Sequence, residues 1–153
     1  MEREIAFRGK SKYTGEWVEG YYVGDNTIIA YNEVVYDLGF IDTSPCHDCY
    51  PGSIGQFTGL YDKNGKEIYE GDIVKNKEVG GYGMVYIGVV RYYEEDCRFG
   101  IDLTATNKFT KRCLFTVGEC SFNDGHCTIE YYNEYEVLGN IHDNPELLKD
   151  GRD

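Results

Sequence analysis

The chain has no run of apolar residues long enough to cross a membrane as a helix, and its N-terminus lacks a secretion signal. The opening residues Met1–Glu4 are mostly charged, and no apolar segment follows them. A membrane-spanning helix needs about 18 or more predominantly apolar residues. These two absences predict a soluble, cytoplasmic protein that does not insert into a membrane.

Positive charge is also scarce. The chain carries 15 basic against 27 acidic residues, a net charge of -12. The basic residues are dispersed, and the best local cluster is Lys108, Lys111 and Arg112. Nucleic acids and anionic lipids are bound by clustered Lys and Arg. The charge pattern therefore argues against both as partners. The excess of acidic residues is interpreted as keeping the protein soluble, and the alternative is an acidic face that competes with nucleic acid for a basic protein.

Proline is rare, at three residues, whereas the chain has 15 tyrosines and 19 glycines. Aromatic residues separated by glycine turns are typical of β-strands. We therefore expect an all-β fold, a small barrel or sandwich of short antiparallel strands. The predicted strands are Glu4–Arg8, Glu16–Glu19, Tyr21–Val23, Thr27–Tyr31, Met84–Tyr93, Phe109–Val117, Thr128–Tyr132 and Glu136–Ile141.

Three further features complete the predicted architecture. Gly88 predicts a bulge or a bend in the long central strand. Asn144–Leu148 begins with a capping residue and a proline, which predicts a short C-terminal helix. The predicted loops are Thr43–Gly55, Asn76–Gly83 and Cys120–Cys127.

The length of 153 residues suits a single domain, 1-153, or two intertwined β units that share one core. Lys12–Val23 and Lys63–Val74 form a weak internal repeat. Each copy runs from a lysine through a glycine turn and a short strand to Glu-Gly-x-x-Val. Two copies of a common turn and an ancestral duplication are both open interpretations.

The six cysteines are interpreted mainly as reduced, buried thiols, because no export signal is present. Cys46 and Cys49 have the spacing of half a zinc knuckle, and Cys120, His126 or Cys127 could complete it. A redox pair would require a βαβ setting that the pattern does not show. We therefore predict no metal site, and the alternative interpretation is a zinc site that includes Cys46 and Cys49.

No catalytic or cofactor-binding residue is predicted either. His47, His126 and His142 lie in expected loops or turns without a nucleophile motif. The acids Glu67, Glu70 and Asp72 could act as an acid–base set, but Glu70 and Asp72 flank a turn glycine, where carboxylates cap backbone amides. Gly80–Gly83 is glycine-rich but lacks the strand-to-helix context of a phosphate loop.

Three tyrosine pairs are the most suggestive feature for binding. Adjacent strand residues face opposite sides of a sheet, so we expect one ring of each pair to be buried and the other exposed. Exposed tyrosines can anchor a protein partner or stack on single-stranded bases. The pairs are Tyr21 and Tyr22, Tyr92 and Tyr93, and Tyr131 and Tyr132.

Three blocks resemble the YopX-type phage and prophage proteins and occur in that family's order: an opening of Glu4–Lys10 followed by Thr14–Tyr22, a central signature at Gly55–Val74, and the ending Glu136–Leu148. The resemblance implies a small, mostly β protein of bacterial phages, without an established activity. The chain departs from the usual pattern at Pro45–Pro51, and Asn76–Tyr135 carries no family motif.

Together these features predict a non-enzymatic accessory protein in the bacterial host cytoplasm. It would need no cofactor and would bind an unidentified protein or associate with copies of itself. The alternative function is a nucleic-acid-binding small β-barrel, which depends on analogy between folds.

Overall fold

The fold was analysed in a computed structural model, which describes residues 4–31, 36–37, 40–41, 46–79, 85–103, 112–114, 122–123, 126–127 and 132–149. The chain divides into two compact units, Met1–Gly59 and Leu60–Asp153. Nearly all regular structure among these residues is antiparallel strand, so the all-β prediction is confirmed. Whether the chain acts as one domain stays a prediction.

The first unit is built on a sheet with the strand order β6-β3-β2-β1-β7. Its strands are β1 (Phe7–Lys10), β2 (Trp17–Gly24), β3 (Thr27–Ala30), β4 (Tyr36–Asp37), β5 (Phe40–Ile41), β6 (Cys46–Asp48) and the first part of β7 (Gly55–Tyr61). Strands β4 and β5 form a separate two-stranded ladder. The buried apolar side chains of this unit are Ala6, Ile28, Ile29, Ala30, Cys49 and Phe57.

Strand β2 is one continuous element, which corrects the prediction of two short strands around Gly20. Gly20 pairs with Phe7 on one side and with Ala30 on the other. A side chain at Gly20 would place its Cβ only 1.9 Å from the carbonyl oxygen of Ile29. Glycine is needed here because neighbouring backbone approaches closely.

The second unit contains a five-stranded sheet with the order β12-β11-β10-β9-β15. The strands of this unit are β8 (Glu67–Tyr69), β9 (Asp72–Val79), β10 (Val85–Tyr93), β11 (Arg98–Asp102), β12 (Arg112–Leu114), β13 (Phe122–Asn123), β14 (His126–Cys127) and β15 (Tyr132–Asn140). Strands β13 and β14 pair with each other. The core cluster consists of Ile68, Val74, Val90, Ile101, Leu103 and Tyr135.

Strand pairing overrides several local predictions. Cys46–Asp48 is a strand within a predicted loop, because it pairs with β3. Strand β9 continues to Val79, beyond the predicted start of a loop at Asn76, because β10 and β15 pair with it on either side. The remainder of that loop lies outside the described residues. Strand β11, Arg98–Asp102, was not predicted at all.

Gly88 lies in regular register opposite Val74 and does not form the predicted bulge. A Cβ at this position would lie 2.4 Å from the carbonyl oxygen of Asp102 and 2.6 Å from a methyl carbon of Ile101. The glycine therefore lets β10 approach the backbone of a neighbouring segment and the core side chains.

The predicted C-terminal helix is confirmed as one 3-10 turn, Pro145–Leu148, with proline in its first turn. Asn144 does not cap this turn with its side chain. Its Oδ1 instead accepts a hydrogen bond of 3.4 Å from Asn140 N at the end of β15. A second 3-10 turn, Glu94–Asp96, connects β10 to β11.

Both main sheets are open within the residues that the structure describes, since each strand order has two distinct ends. The nucleic-acid alternative depended on analogy with small barrels and gains no support from open sheets. No helix among the described residues is long and apolar enough to cross a membrane.

Candidate functional site

The turn after β7 is held together by one buried carboxylate, that of Asp62. Asp62 Oδ1 accepts hydrogen bonds from Asn64 N at 2.7 Å and from Lys66 N at 2.9 Å. Gly65 completes the turn with φ = 80°, a conformation that favours glycine. Burial opposes ionisation, but hydrogen bonds from Lys66, Val137 and Asn64 outweigh it and lower the pKa of Asp62. The carboxylate is therefore a structural acceptor.

The acidic cluster that follows is structural as well. Asp72, which is 1% exposed, accepts a hydrogen bond from Tyr69 N at 2.8 Å. Glu70 Oε1 accepts one from Tyr92 N at 3.3 Å. Glu67 Oε2 accepts one from the Tyr69 hydroxyl at 2.7 Å. The prediction that Glu70 and Asp72 cap backbone amides is thus confirmed.

A similar turn occurs in the first unit. Ser11, which is fully buried, accepts hydrogen bonds at its hydroxyl from Tyr13 N at 3.3 Å and Thr14 N at 3.4 Å. Gly15 has φ = 72°. The two copies of the sequence repeat therefore share a turn device: a buried polar residue, a lysine and a glycine with positive φ. They differ afterwards, because Gly71 has φ = 84° in a turn whereas the corresponding Gly20 lies within a strand.

The cysteine pair lies on an extended segment of the first unit. Cys46 belongs to β6, and Cys49 continues the extended segment through a bridge to Ser11. Residues three apart in an extended chain face opposite sides, so the two thiols diverge. Cys49 is fully buried, and burial followed by the charge of Asp48 raises its thiol pKa.

No group of three or more potential metal ligands occurs among the described residues. Cys120 and the side chains of His126 and Cys127 lie outside that description. His47 is half-buried on β6, and His142 is exposed in the turn after β15. The glycines Gly80–Gly83 also lie outside the described residues.

The strongest candidate for a functional surface is on β2. Tyr21, Tyr22 and Val23 are 50%, 43% and 56% exposed. We call these three residues the β2 patch. The prediction that one ring of each tyrosine pair is buried is wrong for this pair. The reason is that neither face of the sheet is fully covered at the end of the β2–β3 hairpin.

Each ring of the β2 patch is supported by one aromatic neighbour. Tyr22 packs against Phe7, with ring centroids 5.6 Å apart, and Tyr21 packs edge-on against Tyr31 at 4.8 Å. For the second pair, Tyr92 is 43% exposed and contacts Phe99, whereas Tyr93 is half-buried. Tyr131 and the side chain of Tyr132 lie outside the described residues.

Next to the β2 patch is an open groove of about 690 Å³, which the sequence did not predict. It is lined by Thr14, Glu16, Trp17, Val18, Glu19, Ala30, Tyr31 and His47. The Arg8 guanidinium lies 4.8 Å from the centre of the Trp17 ring. The pattern Trp-x-Glu could have indicated an aromatic ring beside one carboxylate, because alternate strand residues such as Trp17 and Glu19 share a face.

Sequence reasoning also missed Asp62 and Ser11. A detectable signal was present for Asp62, because Asp-x-Asn-Gly is typical of a turn in which the aspartate accepts backbone hydrogen bonds. The burial of Ser11 has no comparable local signal.

Comparison with known proteins gives two positive results. Residues 6–149 match the model of the YopX protein family. A crystal structure of protein EF1440 from Enterococcus faecalis is similar in fold, with a TM-score of 0.52 and 24% sequence identity. The similarity covers 96% of this chain and 99% of that chain. No curated protein matches the sequence. Because the family model spans nearly the whole sequence, the chain belongs to the YopX family.

Proposed function

We propose that this protein is a non-enzymatic binding module that associates with other protein chains, including copies of itself, through the β2 patch. The observation that carries the proposal is the exposure of three consecutive large side chains on both faces of one strand, near the end of the β2–β3 hairpin: Tyr21 and Val23 on one face and Tyr22 on the other. Interface cores are enriched in aromatic side chains, and tyrosine is a frequent energetic hot spot.

Each tyrosine ring of the β2 patch contacts another aromatic ring of the same unit. Tyr21 contacts Tyr31 edge-on, with an interplanar angle of 89°, and Tyr22 contacts Phe7 at 42°. Side chains that are ordered in advance lose less conformational entropy on association. These aromatic contacts therefore favour a binding role for the β2 patch over the alternative that its tyrosines are ordinary surface residues.

The family resemblance supplies the proposed context. YopX-type proteins are encoded by phages and prophages, so we propose that the binding serves a phage or prophage process in the bacterial cytoplasm. The net charge of -12 favours protein over nucleic acid as the partner.

The test is the oligomeric mass of the double variant Tyr21→Ala/Tyr22→Ala, measured by light scattering after gel filtration over a range of concentrations. We expect the wild-type protein to assemble. The variant should dissociate, because losing a tyrosine hot spot costs about 2 kcal/mol or more.

The matched control is Tyr61→Ala/Tyr92→Ala, which removes two tyrosines that are 53% and 43% exposed in the second unit. It should assemble like the wild type. A wild-type protein that stays monomeric at every concentration, or equal masses for both variants and the wild type, would refute self-association through the β2 patch.

A further inference from the structure

The groove opens where two neighbouring strands separate. Strand β3 ends at Ala30, which lies opposite Gly20, whereas β2 extends back to Trp17 alongside β1. At Tyr31 the chain leaves β3, and the groove lies between Tyr31, His47 and the first half of β2. Its volume of about 690 Å³ is within the range of ligand-binding sites.

The lining of the groove combines aromatic rings with negative charge. Glu16 and Glu19 are exposed, and no lysine or arginine is among the described residues that line it. Trp17 and Tyr31 are its two aromatic residues among those that the structure describes. Carboxylates and aromatic rings both attract cations, and an arginine or lysine side chain can interact with both at once.

Two basic residues close to the groove already have contacts within the chain. Arg8, which lies opposite Glu19 in the β1–β2 ladder, is only 9% exposed, and its guanidinium lies over Trp17. Lys12 forms an ion pair with Asp48 at 3.0 Å. Glu16 and Glu19 are exposed, so their carboxylates can contact a cation that comes from another chain.

We infer that the groove binds an extended, arginine- or lysine-bearing segment of a different protein. This inference rests on the proposed protein-binding function and specifies the chemistry of one partner. Charge complementarity favours such a partner over a second copy, because each copy carries 27 acidic and only 15 basic residues.

The chain contains a built-in probe, because Trp17 is its only tryptophan. The experiment titrates the full-length protein with a tetra-arginine peptide blocked at both ends and follows the tryptophan emission. We expect a saturable change that weakens as salt is added, since salt screens exposed charges. A tetra-glutamate peptide should leave the emission unchanged.

Specificity is tested with the double variant Glu16→Gln/Glu19→Gln. Losing two exposed ion pairs should weaken peptide binding by about fivefold. The matched control Glu94→Gln/Glu146→Gln removes two exposed carboxylates from the second unit, so the net charge changes equally. This control should bind the peptide like the wild type.

Three results would overturn the inference: no saturable change with tetra-arginine, equal weakening in both variants, or an emission change caused by protein concentration alone. The last result would assign the groove to a second copy. The variant Glu16→Gln/Glu19→Gln leaves Tyr21 and Tyr22 intact. A negative result in the peptide titration can therefore be distinguished from a negative result in the assembly test of the β2 patch.

Discussion

Asp62 Oδ2 accepts a hydrogen bond of 3.2 Å from Val137 N, which joins the turn after β7 to strand β15, 75 residues away. Beside it, Lys63 N donates to Tyr135 O at 2.9 Å, and Lys63 Nζ lies 2.8 Å from Glu136 Oε2. Strand β15 is the last strand of its sheet. The turn therefore covers part of an edge that could otherwise pair with another chain.

The first unit repeats this arrangement with different residues. Lys12 N donates to Asp48 O at 2.8 Å, and Lys12 Nζ lies 3.0 Å from both carboxylate oxygens of Asp48. Asp48 is on β6, which is also the last strand of its sheet. In both units a lysine after a buried polar residue attaches a turn to an edge strand.

Replacing Asp62 with alanine should lower the free energy of unfolding by about 2 kcal/mol, because three partly buried hydrogen bonds lose their charged acceptor. Urea denaturation at neutral pH measures the effect. Glu146→Ala is the control, since it removes an exposed carboxylate in the same unit and should change stability by less than about 0.5 kcal/mol. Equal stability of the two variants would contradict the role assigned to Asp62.

The contribution of Asp62 should depend on pH in a defined direction. Its pKa is lowered in the folded state, so its stabilisation is fully present above the unfolded pKa of about 3.9 and is lost as the pH falls through the folded value. The stability difference between the wild type and Asp62→Asn should therefore shrink as the pH falls below about 4. Urea curves at a series of pH values would contradict this if the difference stayed constant.

Gly20→Ala should be more destabilising than Gly15→Ala. At Gly20 a new Cβ would lie 1.9 Å from the Ile29 carbonyl oxygen, so β2 and β3 must separate locally. At Gly15 nothing lies within 4 Å, and only the positive φ of 72° opposes alanine, a cost of about 1 to 2 kcal/mol. Thermal unfolding of both variants provides the comparison, and a smaller loss at Gly20 would disprove the close approach.

Cys49 should react with iodoacetamide much more slowly than Cys97 in the native protein. Cys49 is fully buried and its thiol pKa is raised, mainly by burial, whereas Cys97 is exposed. The thiolate is the reactive form, so both access and ionisation disfavour Cys49. Peptide mapping by mass spectrometry gives the two rates, and in denaturant they should become similar. Equal native rates would show that Cys49 is accessible.

Short-range features were predictable because their causes are local. The β8 strand and the turns at Gly65 and Gly71 follow from adjacent residues, since a turn needs glycine where φ is positive. The proline turn Pro145–Leu148 was predictable for the same reason. The exposure of both Tyr21 and Tyr22 was not, because period-two alternation presumes that one face of the strand is covered.

The groove was unpredictable for a different reason. It exists because β3 stops at Ala30 while β2 continues to Trp17, and the relative lengths of paired strands depend on the register between distant segments. The divergence of Cys46 and Cys49 likewise results from the pairing of β6 with β3.

The amino-acid sequence by itself determined the all-β class, the turn chemistry and membership in the YopX family, since each depends on residue types at short spacings. Only the tertiary structure decided where those turns attach and which side chains remain exposed. It connects Asp62 to Val137, buries Ser11 and leaves the β2 patch and its neighbouring groove open. These outcomes arise from hydrogen bonds and packing between segments far apart in the chain, which no local pattern encodes.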